Sequence, residues 1–488
     1  MTFLPRLGIA LVLLGAGAAP ARSQEPLTLD RAVALGLEQN QTLAAAGHDL
    51  DASRWGKLNA VTNFLPRVTV NAGVTRIDPE SVLRANAAID FIKAAASTLG
   101  IPPSYLSELR PFAYRDTYLT NLMVIQPIYN GGAEVVALHA ADAAQDKSEY
   151  SYQETEQNVI ARVRISYYSV LKAQEMVALA RESSDRTRRY LEMTRRRAAV
   201  GTRTQTDVLR WEVQLAAGQG SVINAENYLA MARIQLNEAM GVDLNRTFVL
   251  EKPPAPDSVA LVASLAPVTM PAMAPEVQPG LAPSDHDPIR GLAPSAPQQD
   301  GGLDDAFLLH HPSMQAMEAN LRLADVGMEK SWVNFKPRVN VAFQYGWEQN
   351  NTLALDGIRP WALSLSVSLP LFSGFGDFTN LEKARYEYKR TEAQVQSFRR
   401  GLLMQATNAR LSVRAARQRM ETARKGQDQA LDVLNSVSRR YETGGASNVD
   451  LIDVQTAYTS AKTDYITAVY DYLIAGVQLA SATGTISR

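Results

Sequence analysis

The sequence lacks cysteine altogether: none of its 488 residues is one. This absence excludes disulfide bonds, thiolate metal sites, cysteine nucleophiles and a lipid anchor on a cysteine. Net charge is equally scarce, because 49 Lys and Arg residues face 50 Asp and Glu residues. Because positive and negative charges are nearly equal in number, the composition gives no reason to expect nucleic acid as a partner.

Long apolar runs are missing beyond the N-terminus. No later stretch reaches the roughly 18 uninterrupted apolar residues that a membrane helix needs. The N-terminus itself has the pattern of a secretory signal, with Arg6, an apolar stretch at 7–19 and an A-x-A-like site at 19–21. We predict a signal peptide at 1–21, cleaved at 21–23. The protein is therefore predicted to be exported, and to enter a membrane only as strands.

Catalytic motifs are also missing. The sequence contains no nucleophile elbow, P-loop or zinc signature, and its histidines show no i, i+4 metal pairing. We therefore predict no catalytic residue, no cofactor and no resident metal, and we interpret each histidine as a surface or packing residue. The histidines are His48, His139, His286, His310 and His311.

What the sequence does have is an internal duplication. Residues 127–241 align with residues 370–484 without a gap, at a constant offset of 243 positions. Each copy contains a turn that interrupts a long helical pattern with glycine. We call these turns the first tip, at 200–207, and the second tip, at 443–450. The chain is therefore predicted to be one body built from two similar halves.

Both tips restart their helices in the same way. A hydroxyl residue is followed three positions later by aspartate, as Thr204 is by Asp207 and Ser447 is by Asp450. This is the spacing of a capping box, in which the two side chains satisfy each other's backbone N–H groups at a helix start. The pattern predicts that a new helix begins at each tip.

Proline marks the points where helices turn into strands. The pattern F-x-P-R-V occurs twice, with its prolines at Pro66 and Pro337. Proline cannot continue a helix and drives the residue before it into an extended conformation, so a strand is expected after each copy. Matched proline-glycine corners at Pro127 and Pro370 are predicted to lead from the strands back into helices.

The segments between these corners alternate between apolar and small or polar residues, which predicts β-hairpins at 64–128 and 335–372. The clearest example is 361–369, where large apolar residues alternate with alanine and serine. Period-2 segments of about 10 residues suit strands that cross a membrane. They also suit a half-buried hairpin of a soluble protein. The first hairpin loop, 78–114, is expected to contain a helical insertion at 85–99.

The helix after each tip keeps a heptad pattern, and these helices are expected to end at 241 and 484. Large residues recur every seven positions, and a mostly alanine or glycine seam follows three positions later, which favours close packing in a left-handed coiled coil. The helical pattern before each tip runs for about 65 residues, on the order of 100 Å, which indicates a coiled coil or a tube. The large residues are Val208, Leu215, Val222, Leu229 and Leu236, then Leu451, Tyr458, Tyr465, Tyr472 and Leu479.

The predicted domain organisation follows from these patterns. A first structural repeat spans 28–250 and begins with a helical pattern over 29–63. A linker rich in proline, alanine and serine occupies 251–302 and is expected to lie over the body of the protein, partly disordered. The second structural repeat spans 303–488.

Four amphipathic strands cannot close a membrane barrel alone, because about eight are the practical minimum. Open edges in a bilayer would expose unpaired backbone groups at several kcal/mol each. Helices of about 100 Å likewise need neighbours along their whole length. A ring of protomers satisfies both requirements.

At this point the residues resemble a known family. The two F-x-P-R-V strand entries, the two proline-glycine corners, and tips that read V-G-T-R-T at 200–204 and D-L-I-D at 450–453 look like the TolC-type outer-membrane efflux protein family. The resemblance implies a mixed α and transmembrane β fold, internally duplicated, with four strands and long coiled-coil helices in each protomer. It implies a homotrimer whose 12-stranded β-barrel in the outer membrane continues into an α-helical periplasmic tunnel.

The resemblance also implies a function and partners. Family members are the exit ducts of tripartite efflux or type I secretion systems in Gram-negative bacteria, and they conduct passively. The expected partners are a periplasmic adaptor protein, an inner-membrane pump of RND or ABC type, and outer-membrane lipid.

In the family, aspartates of the second tip form the pore constriction, and this role transfers here to Asp450 and Asp453. Three protomers would place up to six carboxylates around a narrow axis, which attracts cations and can be plugged by a multivalent ion. Asp450 has the alternative role of helix cap only, because Asp207 occupies the same position in the first tip. Asp453 has no such alternative and is aligned with Arg210.

The family also uses an arginine of its G-T-R motif as a latch, and its tips dock the adaptor. The match here is Arg203, expected to contact Asp207 or the adaptor, whereas the second tip has Ala446 at the equivalent position. Glycine is expected to permit the tight turn of each tip. The docking and latch candidates are Val200, Gly201, Thr202, Arg203, Asp207, Gly444 and Gly445.

Two other functions compete with a channel. A periplasmic or surface coiled-coil scaffold is disfavoured by hairpins that have one wholly apolar face. An exported enzyme on a helical frame is disfavoured because no acid, base or nucleophile converges with another in the sequence.

Overall fold

The computed structural model describes residues 26–106, 109–252, 305–350 and 359–486. The predicted signal peptide lies outside the described residues, as does the predicted linker apart from Glu251 and Lys252. Among the described residues, no helix is both long and apolar enough to cross a membrane.

Eight α-helices make up most of the described chain. The two longest, α4 and α7, have 67 residues each and therefore extend about 100 Å. Short 3-10 helices occur at Pro103–Tyr105 and Asp305–His310. The α-helices are α1 Leu29–Gln39, α2 Gln41–Thr62, α3 Pro79–Thr98, α4 Ala133–Ala199, α5 Gln205–Met240, α6 Pro312–Val333, α7 Gly376–Glu442 and α8 Asn448–Ala482.

The helical pattern at 29–63 forms two helices, not one. Asn40 separates them, with an extended backbone (φ −69°, ψ 120°). Its Oδ1 accepts hydrogen bonds from the backbone N–H groups of Thr42 and Leu43, and its Nδ2 donates to Ala239 O at 3.0 Å. Asparagine is a strong N-cap residue, and this buried contact with α5 holds the break in place.

The four strands form one antiparallel sheet in the order β1-β2-β3-β4. They are β1 Arg67–Arg76, β2 Asp116–Asn130, β3 Arg338–Asn350 and β4 Trp361–Ser368. The central pairing of β2 with β3 joins the two hairpins, so the two halves of the chain share the sheet. β1 and β4 are its edges and are exposed along their whole length.

One face of the sheet is mainly apolar, as the alternation predicted. One row across all four strands contains Val70, Leu122, Tyr345 and Trp361, which are partners in register. The next row, on the opposite face, contains Asn71, Asn121 and Gly346. Side chains that alternate in this way concentrate the apolar surface on one side. Strand β2 is the exception, because Leu119, Met123 and Ile125 lie on the other side.

Three of the four predicted corners lie at element boundaries. Pro66 immediately precedes β1, Pro337 precedes β3, and Pro370 follows β4. The fourth requires a correction, because β2 continues through Pro127 to Asn130. The strand accommodates this proline through an irregularity in register between Pro127 and Tyr129. A residue without an N–H group is tolerated in a strand at such a bulge.

The heptads of α5 and α8 are confirmed as packing seams. α4 packs along α5 and α7 packs along α8, and α4 also contacts α8. All the large heptad residues and the small residues three positions later are buried or half-buried. The helices end as predicted, with left-handed glycines at Gly241 (φ 72°) and Gly484 (φ 66°).

The largest apolar core lies where α1, α4, α5 and α8 meet. Tyr167 of α4 is 1 % exposed there, and its hydroxyl lies 2.8 Å from Leu27 O and 2.7 Å from Glu251 O. Burial raises the pKa of Tyr167 to about 12. Leu27 and Leu250 are also joined by a parallel bridge, so the chain before α1 and the chain after α5 meet at this tyrosine.

Candidate functional site

Both tips contain the capping box that their spacing predicts. In the first tip, Thr204 N donates to Asp207 Oδ2 at 3.1 Å and Asp207 N donates to Thr204 Oγ1 at 3.2 Å. In the second, Ser447 N donates to Asp450 Oδ2 at 3.0 Å and Asp450 N donates to Ser447 Oγ at 3.1 Å. Each box satisfies backbone donors at a helix start, so the turn geometry is the same in both copies.

Glycine makes both turns possible. Gly201 and Gly444 have φ values of 76° and 84°, in the left-handed region that side chains with a Cβ rarely adopt. Gly445 N donates to Arg440 O at 2.7 Å, which closes the last turn of α7. The expected role of Gly201 and Gly444 in the turns is confirmed.

The two tips are joined through Tyr441, the penultimate residue of α7. Its ring is fully buried, its hydroxyl donates to Asn448 Oδ1 at 2.6 Å, and the same hydroxyl lies 2.8 Å from Thr194 Oγ1. Asn448 Nδ2 donates onward to Asp207 O at 3.3 Å. One tyrosine therefore links the end of α7, the start of α8, and both helices of the other half.

Two arginines of the first half reach across to Tyr441. Arg197 donates to Tyr441 O at 2.9 Å and to Glu442 O at 2.6 Å, and its guanidinium carbon lies 5.6 Å from the tyrosine ring centroid. Arg203 donates to Ala446 O at 3.0 Å and lies 4.9 Å from the same centroid. Both distances suit cation-π contacts. We call Arg197, Arg203 and Tyr441 the tip clamp.

Of the two contacts expected for Arg203, the one with the adaptor stays a prediction, and the one with the Asp207 carboxylate is not a hydrogen bond. Arg203 donates instead to Ala446 O of the second tip. Burial acts to raise the pKa of Asp207, but hydrogen bonds from Thr204 and the nearby charges of Arg203 and Arg210 outweigh it, so that pKa is lowered. Arg203 therefore lowers the pKa of Asp207 by the attraction of its positive charge, without a hydrogen bond.

An aromatic layer supports the clamp on its inner side. Tyr190 lies 5.4 Å from Trp211 and 6.0 Å from Tyr441 between ring centroids, and its hydroxyl is 2.9 Å from Ser438 Oγ. Trp211 is fully buried. The sequence prediction missed Tyr441, although one signal was available: the duplication aligns this tyrosine with Ala198, so a bulky residue occurs in one copy alone.

The two acidic candidates of the second tip differ in their surroundings. Asp450 is exposed, and the backbone N–H and the hydroxyl of Ser447 lower its pKa. Asp453 is also exposed, but it makes no hydrogen bond or ion pair with any residue that the structure describes. Asp450 therefore acts as a helix cap in this chain, whereas the Asp453 carboxylate is available for another contact.

The remaining candidates lie where the tips meet solvent. Val200 is 74 % exposed at the end of α4. Thr202 Oγ1 donates to Arg197 O at 2.9 Å, which holds the first tip against the last turn of α4. Within the described ranges, no group of three or more His, Asp or Glu side chains is placed to hold a metal.

The histidines contribute to packing and surface contacts, as far as the described residues include them. His311 is buried at the start of α6, and burial lowers its pKa. His139 lies 3.3 Å from Glu329 on the surface. His286 lies outside the described residues.

Comparisons with known proteins agree with this architecture. The chain is 25% identical over 414 residues to protein CyaE of Bordetella pertussis, covering 81% of this chain and 80% of that protein. It is 25% identical over 485 residues to the cobalt-zinc-cadmium resistance protein CzcC of Cupriavidus metallidurans, covering 95% and 94%. The crystal structure of the Campylobacter jejuni CmeC outer membrane channel superposes with a TM-score of 0.71 at 16% identity, covering 99% of this chain and 94% of that one.

The family assignment rests on a match over most of the sequence. A model of the outer membrane efflux protein family matches residues 33–242 and 304–485, which include both tips and all four strands. This confirms the resemblance seen in the sequence. The chain belongs to the outer membrane efflux protein family, and it is a protein of the outer membrane with a large periplasmic extension.

Proposed function

We propose that three copies of this chain form the exit duct of a tripartite efflux or type I secretion system. In this proposal the duct conducts passively, and an inner-membrane pump of RND or ABC type supplies the energy through a periplasmic adaptor. The sheets close a 12-stranded barrel in the outer membrane, and the helices form a tunnel across the periplasm.

The observation that carries the proposal is the open sheet. β1 and β4 are exposed on both faces, and the apolar side chains of β4 are each about two-thirds exposed, from 65 % at Leu363 to 68 % at Trp361 and Leu365. An unpaired edge in a bilayer costs several kcal/mol for each unsatisfied backbone group. Pairing β1 of one copy with β4 of the next removes both edges, and three copies supply twelve strands.

Aromatic residues at both ends of the sheet support its placement in a bilayer. Tyr345, Trp347 and Trp361 lie toward the hairpin loops, with Tyr345 and Trp347 rings 4.7 Å apart. Phe335 and Phe372 lie at the helix corners, and both are exposed. Aromatic belts at the two membrane interfaces are typical of outer-membrane strands.

The helices support assembly independently. α5 has a second apolar stripe on its outer side, away from the heptad seam that packs against α4. Such a stripe on a long helix needs a neighbour to cover it. Its exposed members are Leu209, Val213, Ile223, Met231 and Ile234.

We assign the periplasmic gate to Asp453 and the adaptor-docking surface to the first tip, led by the exposed Val200. Carboxylates from three copies around one axis would favour cations and bind multivalent ions. The cap role of Asp450 leaves its carboxylate engaged with Ser447, so we expect it to contribute less to the gate.

The test is purification of the full chain, measurement of its mass in native conditions, and recording of single channels in planar bilayers. We expect a mass of three copies and a cation-preferring pore that a trivalent cation blocks. Asp453→Asn should reduce both the cation preference and the block, whereas Asp432→Asn, an exposed aspartate of α7, should leave them unchanged. A monomer, or an Asp453→Asn channel with unaltered cation preference and block, would contradict the proposal.

A further inference from the structure

α3 distinguishes the first hairpin from the second. The chain between β3 and β4 spans only 351–360, whereas the chain between β1 and β2 spans 77–115 and contains this helix of 20 residues. The sequence pattern predicted a shorter helix at 85–99, and the observed helix begins earlier because Asp78 caps it. The cap and Pro79 at the first turn are both strong signals of a helix start.

The root of α3 is firmly attached to the end of the first hairpin. Arg76 of β1 and Asp116 of β2 form a bidentate ion pair at 2.6 and 3.2 Å. Ile77 N donates to Arg115 O at 2.8 Å, and Ser81 N donates to Asp78 Oδ2 at 2.9 Å. Only two residues separate β1 from α3, so the position of the edge strand fixes the position of the helix.

One side of α3 faces the segment that returns to β2. Asn86 Nδ2 donates to Ala113 O at 2.8 Å, and its Oδ1 accepts from Phe112 N at 2.8 Å and Ala113 N at 3.1 Å. Ile89 and Ala96, on the same side of the helix, are buried. This side of the helix is therefore occupied by the chain's own residues.

Another side of α3, which we call its bare side, is exposed and carries an apolar stripe bordered by the charged residues Glu80, Arg84 and Asp90. Leu83, Ala87 and Phe91 succeed one another at i, i+4 spacing, so they form one stripe. Leu83 is 66 % exposed and Phe91 is 74 % exposed. Other large apolar side chains exposed on the helix or the returning segment are Ile92, Leu99, Ile101, Tyr105 and Phe112. Large apolar side chains exposed in such number in one segment mark a site of contact with another protein or with lipid.

We propose that this apolar side of α3 packs against a second copy of the chain. The inference rests on the proposed assembly, in which the edge strand β1 pairs with β4 of a neighbouring copy. Because α3 begins two residues after β1, its bare side starts at that boundary and continues the same interface beyond the sheet.

The charge of α3 favours a second copy over a lipid surface. Helices that lie on membranes carry an excess of Lys and Arg on their polar side. The ionic residues of α3 are Glu80, Arg84, Asp90 and Lys93, which balance, and Arg84 is paired with Glu80 at 3.4 Å. The helix as a whole therefore has no basic excess for anionic lipid head groups.

The absence of cysteine from the sequence allows a direct test. Phe91→Cys and Leu83→Cys place a single thiol on the bare side, and Ala85→Cys places one at an exposed position on the other side of the same helix. Each full-length variant is labelled with benzophenone maleimide in its outer membrane and irradiated. Mass spectrometry then identifies the linked peptides, and the native mass of each variant is measured in parallel.

We expect Phe91→Cys and Leu83→Cys to give covalent dimers of this chain, at a yield several-fold above that of Ala85→Cys. A trimeric protein that gives only lipid adducts, only links within one chain, or links to a different protein would overturn the inference and leave the proposed assembly standing. A monomeric native mass would overturn both.

Discussion

The two tips have the same backbone turn, but three of the aligned positions in and beside them differ strongly in size or charge. Both have a left-handed glycine and a complete capping box. Ala198 of the first half corresponds to Tyr441, Arg203 corresponds to Ala446, and Arg210 corresponds to Asp453. The first tip therefore supplies guanidinium groups, and the second supplies the ring and the carbonyl that receive them.

This difference shows what duplication allows. Local requirements for a tight turn keep glycine, hydroxyl and aspartate in both copies, because each copy must cap its own helix. Positions that face the other copy are free to become complementary. The two turns have the same backbone geometry, but they contribute different side chains to the tip clamp. Asp453 is not part of the clamp.

The largest expected effect comes from removing the central ring of the tip clamp. Tyr441→Ala deletes a fully buried aromatic side chain and should cost about 3–5 kcal/mol of tip stability. Tyr441→Phe keeps the ring but leaves Asn448 Oδ1 without its donor, which should cost about 1–3 kcal/mol. Amide hydrogen exchange at both tips measures the loss. Equal exchange rates in wild type and Tyr441→Ala would show that the clamp does not hold the tips together.

Arg203 tests the asymmetry of the tips with a smaller effect. Arg203→Ala removes the hydrogen bond to Ala446 O and the contact with the Tyr441 ring, and should cost about 1–2 kcal/mol because the site is partly solvated. Adding Ala446→Arg to this variant should not restore slow exchange. The new arginine would lie in the second tip, which already contains the accepting carbonyl group of residue 446. Full restoration would mean that either tip can supply the cation.

Removing the N-cap hydroxyl should destabilise both tips equally, in contrast to the unequal roles of their other side chains. Thr204→Ala and Ser447→Ala each remove one hydroxyl acceptor and should each cost about 0.5–2 kcal/mol. Exchange at the first turns of α5 and α8 is the measurement. A loss confined to one tip would indicate that the other turn is held by something besides its cap.

The same caps predict a pH dependence. The pKa values of Asp207 and Asp450 are both lowered in the fold, so their contribution is present above the ordinary aspartate pKa of about 4. It is lost as the pH falls through the lowered values. We therefore expect the protection factors of the amides at both tips, which are corrected for intrinsic exchange, to be constant near pH 7 and to fall below about pH 4.

Much of the architecture could be predicted because its sequence patterns have a short period and occur in both halves of the chain. The capping boxes, the left-handed glycines, the heptad seams and the two-faced sheet all follow from residues within a few positions of one another. The duplication then confirmed each pattern with a second copy. The break at Asn40 was missed because the helical pattern continues across it, and its cause is a contact with Ala239 on another helix.

The tip clamp could not be predicted for the same reason. Its contacts join Thr194 to Tyr441 and Arg203 to Ala446, residues about half the chain apart. Arg203 was identified through its motif, but its partner depends on how α4 and α5 pack beside α7 and α8. Pro127 was also misplaced, because a bulge lets the strand continue through a residue that usually ends one.

Tyr167 has a consequence for how the two halves are connected. Its hydroxyl touches the carbonyl groups of Leu27 and Glu251, so the first half starts and finishes at one buried point. A unit whose two ends lie together is closed by its own contacts, and such units tolerate changes in the chain attached to them. We therefore expect the first half to keep its fold when the sequence between the halves is lengthened or shortened.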